Sequence, residues 1–328
     1  MIISKTPFRI SFVGGGSDLP AFYKQHKGAV LSTTINKYMY ISSHRYFEQD
    51  KIRCKYSETE TVANAAQLKH PIFRTVLQDT GMTGIEISSI ADIPSGTGMG
   101  SSSSFTVGLL HNMAAVQGRY VTKHDLGKGA CRIELDLLGE PIGKQDQYAA
   151  AFGGMNVIEF LPNGEVHVDP VYISTETRER LDKNLMLFYI GNKRSASKIL
   201  AEQSKNATEA KKVEALKTMV SFVYDLKKIL IQGDLDSFGH LMNENWKLKQ
   251  QLAAGISNPR INELYNAAME SGALGGKLLG AGGGGFMLFY APEHAQEALV
   301  DRMKSLDASL FDFSMEREGS KIIHFERD

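Results

Sequence analysis

The chain has 328 residues, 37 of them basic and 37 acidic, for a formal net charge of zero. That balance gives no electrostatic reason to bind nucleic acid or an anionic membrane, while the length allows one large domain or two lobes with a sizeable core. The two cysteines, Cys54 and Cys131, lie far apart without metal-site spacing, so buried free thiols in a reducing compartment are expected.

The apolar start is broken by Lys5, Pro7 and Arg9. Apolar runs stay short of the roughly 18 residues of a membrane span, so neither a signal peptide nor a membrane anchor is expected, and the location expected is cytoplasmic. Residues 8–13 form the first expected strand, which ends in Gly14-Gly15-Gly16-Ser17-Asp18. Alternation places Arg9, Ser11 and Val13 on one strand face, so a cation and a loop carboxylate flank bare backbone. Residues 29–35, 38–44, 51–56 and 84–90 are further strands, rich in β-branched and aromatic side chains.

Next comes Pro94-Ser95-Gly96-Thr97-Gly98-Met99-Gly100, followed by Ser101 to Ser104 and an apolar helical pattern through Met113 and Val116. This is a glycine-rich loop feeding a buried helix. Such a loop lets backbone N–H groups approach a phosphate, and the helix dipole favours the anion there. The serine hydroxyls can add hydrogen bonds or one metal ligand. A flexible Gly/Ser linker would not run straight into an apolar helical face.

Thr122 caps a helix expected to end near Gly139, with Leu126, Ala130, Ile133 and Leu137 on its apolar face and Glu134 beside that stripe. Asp146 stands at the start of a short helix to Phe152. Taken alone, Asp146 fits a plain N-cap and Glu134 a solvated helix face. A hairpin over residues 155–168 follows, and the lobe boundary is expected near residues 171–183, dividing the chain into 1–175 and 176–328. Beyond a strand over 185–190, Asn192-Lys193-Arg194-Ser195 opens a helix, where cations and free N–H groups suit a phosphate. Helical patterns cover 195–231, 235–254 and 259–271. A glycine cluster ending at Gly285 and strands over 286–290, 311–315 and 321–325 complete the chain. Gly280 to Gly285 satisfies G-x-G-x-x-G but precedes a strand instead of opening a helix, and Gly272 to Lys277 lacks P-loop spacing. Runs of strands and runs of helices argue an α+β fold.

Together these segments resemble the GHMP small-molecule kinases, a family that includes galactokinase, mevalonate kinase and homoserine kinase. Pro94 to Ser103 is similar to its P-x-x-x-G-L-G-S-S-A signature, with Met99 in the Leu position and Ser103 in the Ala position. Pro7 to Asp18 resembles the substrate-side motif, Gly143-Lys144-Gln145-Asp146-Gln147 the G-x-x-D-Q segment, and Gly276 to Gly285 the third motif. Leu279 departs from the last, where a small hydroxyl residue is frequent. The resemblance implies a two-lobed fold, with an N-terminal mixed α/β lobe and a C-terminal ferredoxin-like lobe with extra helices.

It also implies ATP and Mg²⁺ as cofactors. Pro94, Gly96, Gly98, Gly100, Ser101, Ser102 and Ser103 would hold the phosphates, and Ser102 and Glu134 the metal. Asp146 would be the base, with Arg9 beside it. Gly16, Ser17 and Asp18 would meet the substrate, Asp18 taking a sugar hydroxyl, with Gly282 and Gly283 at the site floor. The motifs look most like the branch of bacterial D-glycero-D-manno-heptose 7-phosphate kinases and related fucokinase domains. The expected reaction is therefore phosphorylation of the anomeric hydroxyl to the 1,7-bisphosphate, for nucleotide-heptose and surface glycan synthesis. Lys193 and Arg194 would hold the distal phosphate, with Lys144 and Lys37 as weaker candidates. A free sugar such as fucose or galactose is the alternative acceptor, and an ATP-dependent decarboxylase or a ligand-sensing non-enzyme are the remaining options of the fold. The partner expected is a small-molecule sugar phosphate, and a homodimer stays open.

Overall fold

The computed structural model describes residues 1–191, 196–207 and 209–326. The chain runs through β1 (Ile2–Val13), α1 (Pro20–Tyr23), β2 (Gly28–Arg45), β3 (Ile52–Lys55), β4 (Thr59–Val62), α2 (Pro71–Thr80) and β5 (Ile85–Ala91). It continues through α3 (Ser101–Val116), α4 (Lys123–Cys131), α5 (Gln145–Phe152), β6 (Met155–Phe160), β7 (Val166–Pro170) and α6 (Thr175–Asn184). Then follow β8 (Leu185–Gly191), α7 (Ala196–Asn206), α8 (Ala210–Gln232), α9 (Leu235–Lys249), α10 (Pro259–Glu270) and β9 (Gly275–Leu278). The last elements are β10 (Gly285–Tyr290), α11 (Glu293–Ser305), β11 (Ser309–Phe311), β12 (Met315–Glu316) and β13 (Lys321–Phe325).

The first sheet has the order β13-β1-β2-β5-β3-β4, with β6 and β12 also paired to β2 and β7 to β6. The strands expected over 29–35 and 38–44 are one strand, β2. Its early residues pair with β6 and its later ones with β5, while β1 runs antiparallel along its other side. Pairing on both sides of the Asn36-Lys37 irregularity, where the register against β1 shifts, keeps as one strand a segment that local sequence divides. Phe8, Ile10 and Phe12 of β1 are fully buried, as are Val107 and Leu109 of α3. Each such side chain stabilises the fold by about 1.5–3 kcal/mol. This packing fixes α3 on the sheet, and with it the glycine loop at its start.

The second sheet is antiparallel, in the order β11-β8-β10-β9. A separate apolar cluster gathers Met219 of α8, Trp246 of α9, Leu264 of α10 and Phe289 of β10. Mixed helices and sheets make the fold α+β, as expected. Several boundaries differ. The strand expected over 311–315 is two strands in different sheets: β11 pairs with β8 and β12 with β2. β13 pairs with β1, whose outer edge is otherwise open. A division that follows the sheets therefore returns residues 315–325 to the first lobe instead of leaving 176–328 whole. The helix expected over 195–231 is two helices, and α6, capped by the Ser174 hydroxyl, occupies the expected lobe boundary. Cys54 and Cys131 are buried and free. No described helix is long and apolar enough to cross a membrane.

Candidate active site

Gly96, Gly98 and Gly100 have φ of +79°, +85° and +74°, a region open to glycine and strained for other residues. Gly100 caps α3 without any side-chain hydrogen bond. The N–H groups of Ser101, Ser102 and Ser103 thus open the helix without intrahelical partners, an arrangement that accepts phosphate oxygens. The third glycine cluster backs this loop. A Cβ on Gly98 would lie 2.6 Å from the Leu279 carbonyl oxygen, and one on Gly285 would lie 2.4 Å from that of Thr97. Backbone lies directly on backbone there, which explains why both motifs need glycine.

Arg9, 3% exposed on β1, reaches across to the first turn of α5. Its Nε donates to Asp146 Oδ1 and its Nη2 to Asp146 Oδ2, each at 2.8 Å, and its Nη1 donates to the Gly98 carbonyl at 2.8 Å. One guanidinium therefore ties the carboxylate to the glycine loop in fixed geometry. Asp146 does not act as an N-cap: Lys144 precedes α5, and the Asp146 carboxylate faces Arg9. Asp18 is buried and accepts from the Gly16 N–H at 3.1 Å and the Gln145 N–H at 3.4 Å. Burial, and then the charge of Asp146, push its carboxyl above the usual range, with the backbone N–H groups opposing. Gly143 packs so closely that a Cβ there would lie 1.8 Å from Asp18 Oδ2.

Glu134 is fully buried, in a π-helical stretch, Arg132–Leu137, that extends α4. It accepts from Ser102 Oγ at 2.6 Å, Ser103 Oγ at 2.8 Å and Gln147 Nε2 at 2.7 Å. Burial pushes its carboxyl up against those three hydrogen bonds. The two serine hydroxyls and the Glu134 carboxylate place oxygen donors at the phosphate end of a helix, of the kind a hard divalent cation takes. Among the described residues, no three of His, Cys, Asp and Glu gather in metal-binding fashion.

Arg9, Asp18, Ser102, Asp146, Lys249 and Gly280 line one cavity of about 340 Å³, together with Gly16, Gly96, Gly98, Gly100, Ser101 and Ser103. Glu134 stands one layer behind, reached through the serines. Other expected site residues lie elsewhere. Pro94 is outside the lining, and its carbonyl accepts from Thr97 Oγ1. Ser17 is buried, its hydroxyl accepting from the Ala29 N–H and placed to donate to the carbonyl of Gly14 or Ala29, so it shapes the turn and does not face the cavity. Gly282 packs on the Ile256 backbone and Gly283 N–H donates to the Ile256 carbonyl, so neither forms the floor. Gly280 and Ala281 line the cavity instead. Lys193 and Arg194 lie outside the described residues. Lys144 donates to the Gly164 carbonyl, and Lys37 stands over the Phe311 ring.

Sequence reasoning missed Lys249, and it quoted Gly143 and Gln147 within a motif without giving either a role. Lys249 was legible in principle: Met242, Trp246 and Lys249 share one helical face, so a lysine falls on the buried stripe of α9. Gln147 follows Asp146 inside a motif already singled out.

The comparisons with known proteins add to this geometry. Residues 62–154 match the GHMP kinases N terminal domain, and residues 224–307 match the GHMP kinases C terminal domain. The chain belongs to the GHMP kinases. As a GHMP kinase it is an ATP-dependent phosphotransferase with an alcohol group as acceptor. It is 29% identical to the D-glycero-alpha-D-manno-heptose 7-phosphate kinase of Campylobacter jejuni, over 98% of each chain. It is 25% identical to the bifunctional fucokinase/GDP-fucose pyrophosphorylase of Arabidopsis thaliana, over 93% of this chain and 31% of that protein. A D-glycero-D-manno-heptose 1-phosphate kinase structure from Bacteriodes thetaiotaomicron shares the fold, with a TM-score of 0.81, 24% identity and full coverage of both chains.

Proposed function

We propose that this GHMP kinase transfers the γ-phosphoryl group of ATP to the anomeric hydroxyl of D-glycero-D-manno-heptose 7-phosphate, giving the 1,7-bisphosphate. The observation that carries a hydroxyl-rich acceptor is the pair of carboxylates, Asp18 and Asp146, lining one cavity beside Arg9 and the glycine loop. The full-length likeness to the Campylobacter jejuni enzyme favours a heptose 7-phosphate among such acceptors.

In this reading Asp146 takes the proton of the attacking hydroxyl. A bond forms from that oxygen to the γ-phosphorus, the bond to the β–γ bridging oxygen breaks, and ADP leaves. Asp18 accepts a hydrogen bond from a neighbouring sugar hydroxyl and orients the ring. Arg9 holds Asp146 in place and supplies positive charge beside the transferred group. The N–H groups of Ser101 to Ser103 hold the nucleotide phosphates. Ser102 and Glu134 would hold Mg²⁺, which when bound neutralises phosphate charge. The product suits nucleotide-heptose and surface glycan synthesis in the cytoplasm.

A coupled ADP-release screen over sugars and sugar phosphates tests the substrate. Heptose 7-phosphate is expected to turn over fastest. A free hexose such as fucose or galactose turned over faster would overturn it and point to the fucokinase side of the family.

A further inference from the structure

Lys249 ends α9, in the second lobe, yet it lines the catalytic cavity and is only 4% exposed. Among the described residues its ammonium makes one hydrogen bond, from Nζ to the Gly280 carbonyl at 2.7 Å. An ammonium carries three N–H donors, so Lys249 has donors to spare at a buried site. Gly280 is the residue stacked on the phosphate loop: a Cβ there would lie 2.5 Å from the Gly98 Cα. Arg9, in turn, donates to the Gly98 carbonyl. Two cations, one from each lobe, are thus anchored on the carbonyls of two stacked glycines at the edge of one loop. Asp18 and Asp146 are the anionic groups that offset the Lys249 charge. A buried cation is costly unless paired, and no carboxylate forms an ion pair with Lys249 among the described residues. An incoming anion would complete its surroundings.

We infer that Lys249 is a ligand of the γ-phosphoryl group of ATP, supplied by the second lobe opposite Arg9. During transfer it donates to a non-bridging oxygen of that group while the bond to the acceptor oxygen forms and the bond to ADP breaks. It takes no proton from the acceptor, whose proton goes to Asp146. Lys249 also links the lobes chemically, because the phosphate loop belongs to one and the ammonium to the other. The inference rests on the ATP-dependent phosphotransfer of the family and not on the identity of the acceptor.

The test compares ADP with its β,γ-imido triphosphate analogue by titration calorimetry on the full chain, in wild type, Lys249→Met and Lys249→Arg. The Met variant is expected to bind the triphosphate analogue roughly tenfold or more weakly, the loss typical of a hydrogen bond to a charged group, with ADP affinity unchanged. Arg is expected to restore most of the difference. Given an acceptor that the wild type turns over, kcat of the Met variant is expected to fall by about 10²–10³ with little change in acceptor KM. A lysine that only braces Gly280 would weaken both nucleotides alike or neither, and either result overturns the inference. If Lys249→Met does not fold by circular dichroism, Lys249→Gln, which keeps a donor for Gly280, carries the same comparison. The nucleotide measurements need no acceptor, so they stand even if the heptose is wrong.

Discussion

Gly98 and Gly280 lie backbone to backbone: a Cβ on Gly280 would lie 2.5 Å from the Gly98 Cα, and one on Gly98 would meet the Leu279 carbonyl oxygen at 2.6 Å and the Gly280 nitrogen at 3.2 Å. This contact sets the phosphate loop against the second lobe. Gly280, at φ +72°, would be strained by about 1–3 kcal/mol as any other residue, before the clash is counted. Gly280→Ala is expected to lower the melting temperature and to weaken ATP binding together. Gly139 has a similar φ of +67° but nothing within 4 Å of a Cβ. Gly139→Ala is therefore expected to lose stability while keeping ATP affinity. Equal nucleotide affinity in both variants would show that the stacking does not hold the loop.

Gly143→Ala tests the acceptor side alone. The new methyl would overlap the Asp18 carboxylate, 1.8 Å away, and must push it out of position. Acceptor KM is expected to rise, with ADP affinity unchanged by calorimetry. An unchanged acceptor KM would remove Asp18 from the substrate.

Asp146→Asn keeps the size of the side chain and removes the base. Turnover is expected to fall by about 10²–10⁴, the usual contribution of a general base, with nucleotide binding retained. More than a tenth of the wild-type rate would dismiss Asp146 as an essential base. Arg9→Lys should also cost turnover, since lysine cannot reproduce the two parallel bonds to Asp146.

Glu134→Gln and Ser102→Ala address the metal. Both are expected to raise the magnesium concentration for half-maximal turnover, by roughly tenfold or more for the carboxylate. If magnesium dependence is unchanged in both, the cation is held elsewhere.

Lys249 predicts a pH dependence. Its amine is held down to about 8, first by burial and then by the charge of Arg9, while Asp18 and Asp146 oppose. Lys277 of β9 is a further amine nearby, itself pushed well down by burial and then by the charges of Lys249 and Arg9. As pH rises past about 8 the Lys249 ammonium loses its proton, so kcat/KM is expected to fall there. Lys249→Arg should move that limb to higher pH. The stability effect has the opposite sign. From pH 8 toward the ordinary value of 10.5 the unfolded chain binds more protons than the folded one, so this group alone makes stability rise with pH. A high-pH limb unchanged in Lys249→Arg would assign it to another group.

Sequence by itself determined the local chemistry. The glycine loop and the start of α3 at Ser101 follow from residues adjacent in the chain, because backbone freedom, helix period and apolar face are all short-range. The Arg9, Glu134 and Asp146 set came instead from the resemblance to the family, since taken alone Glu134 fits a solvated helix face and Asp146 a plain N-cap; the structure places Arg9 on Asp146 and Glu134 behind Ser102 and Ser103. Tertiary structure decided what depends on partners far away. β2 is one strand because β1, β5 and β6 pair along its edges. β12 and β13 join the first sheet because that sheet offers them open edges. Ser17, Gly282 and Gly283 sit in motifs yet turn away from the cavity, since backbone contacts with Ala29 and Ile256 claim them. Lys249, more than a hundred residues from Asp146, enters the site only because α9 packs its buried face against β9 and the glycine turn beyond it. Burial is cooperative and long-range, so a period can mark a lysine as inward-facing, but only the packed lobes decide which cavity it reaches.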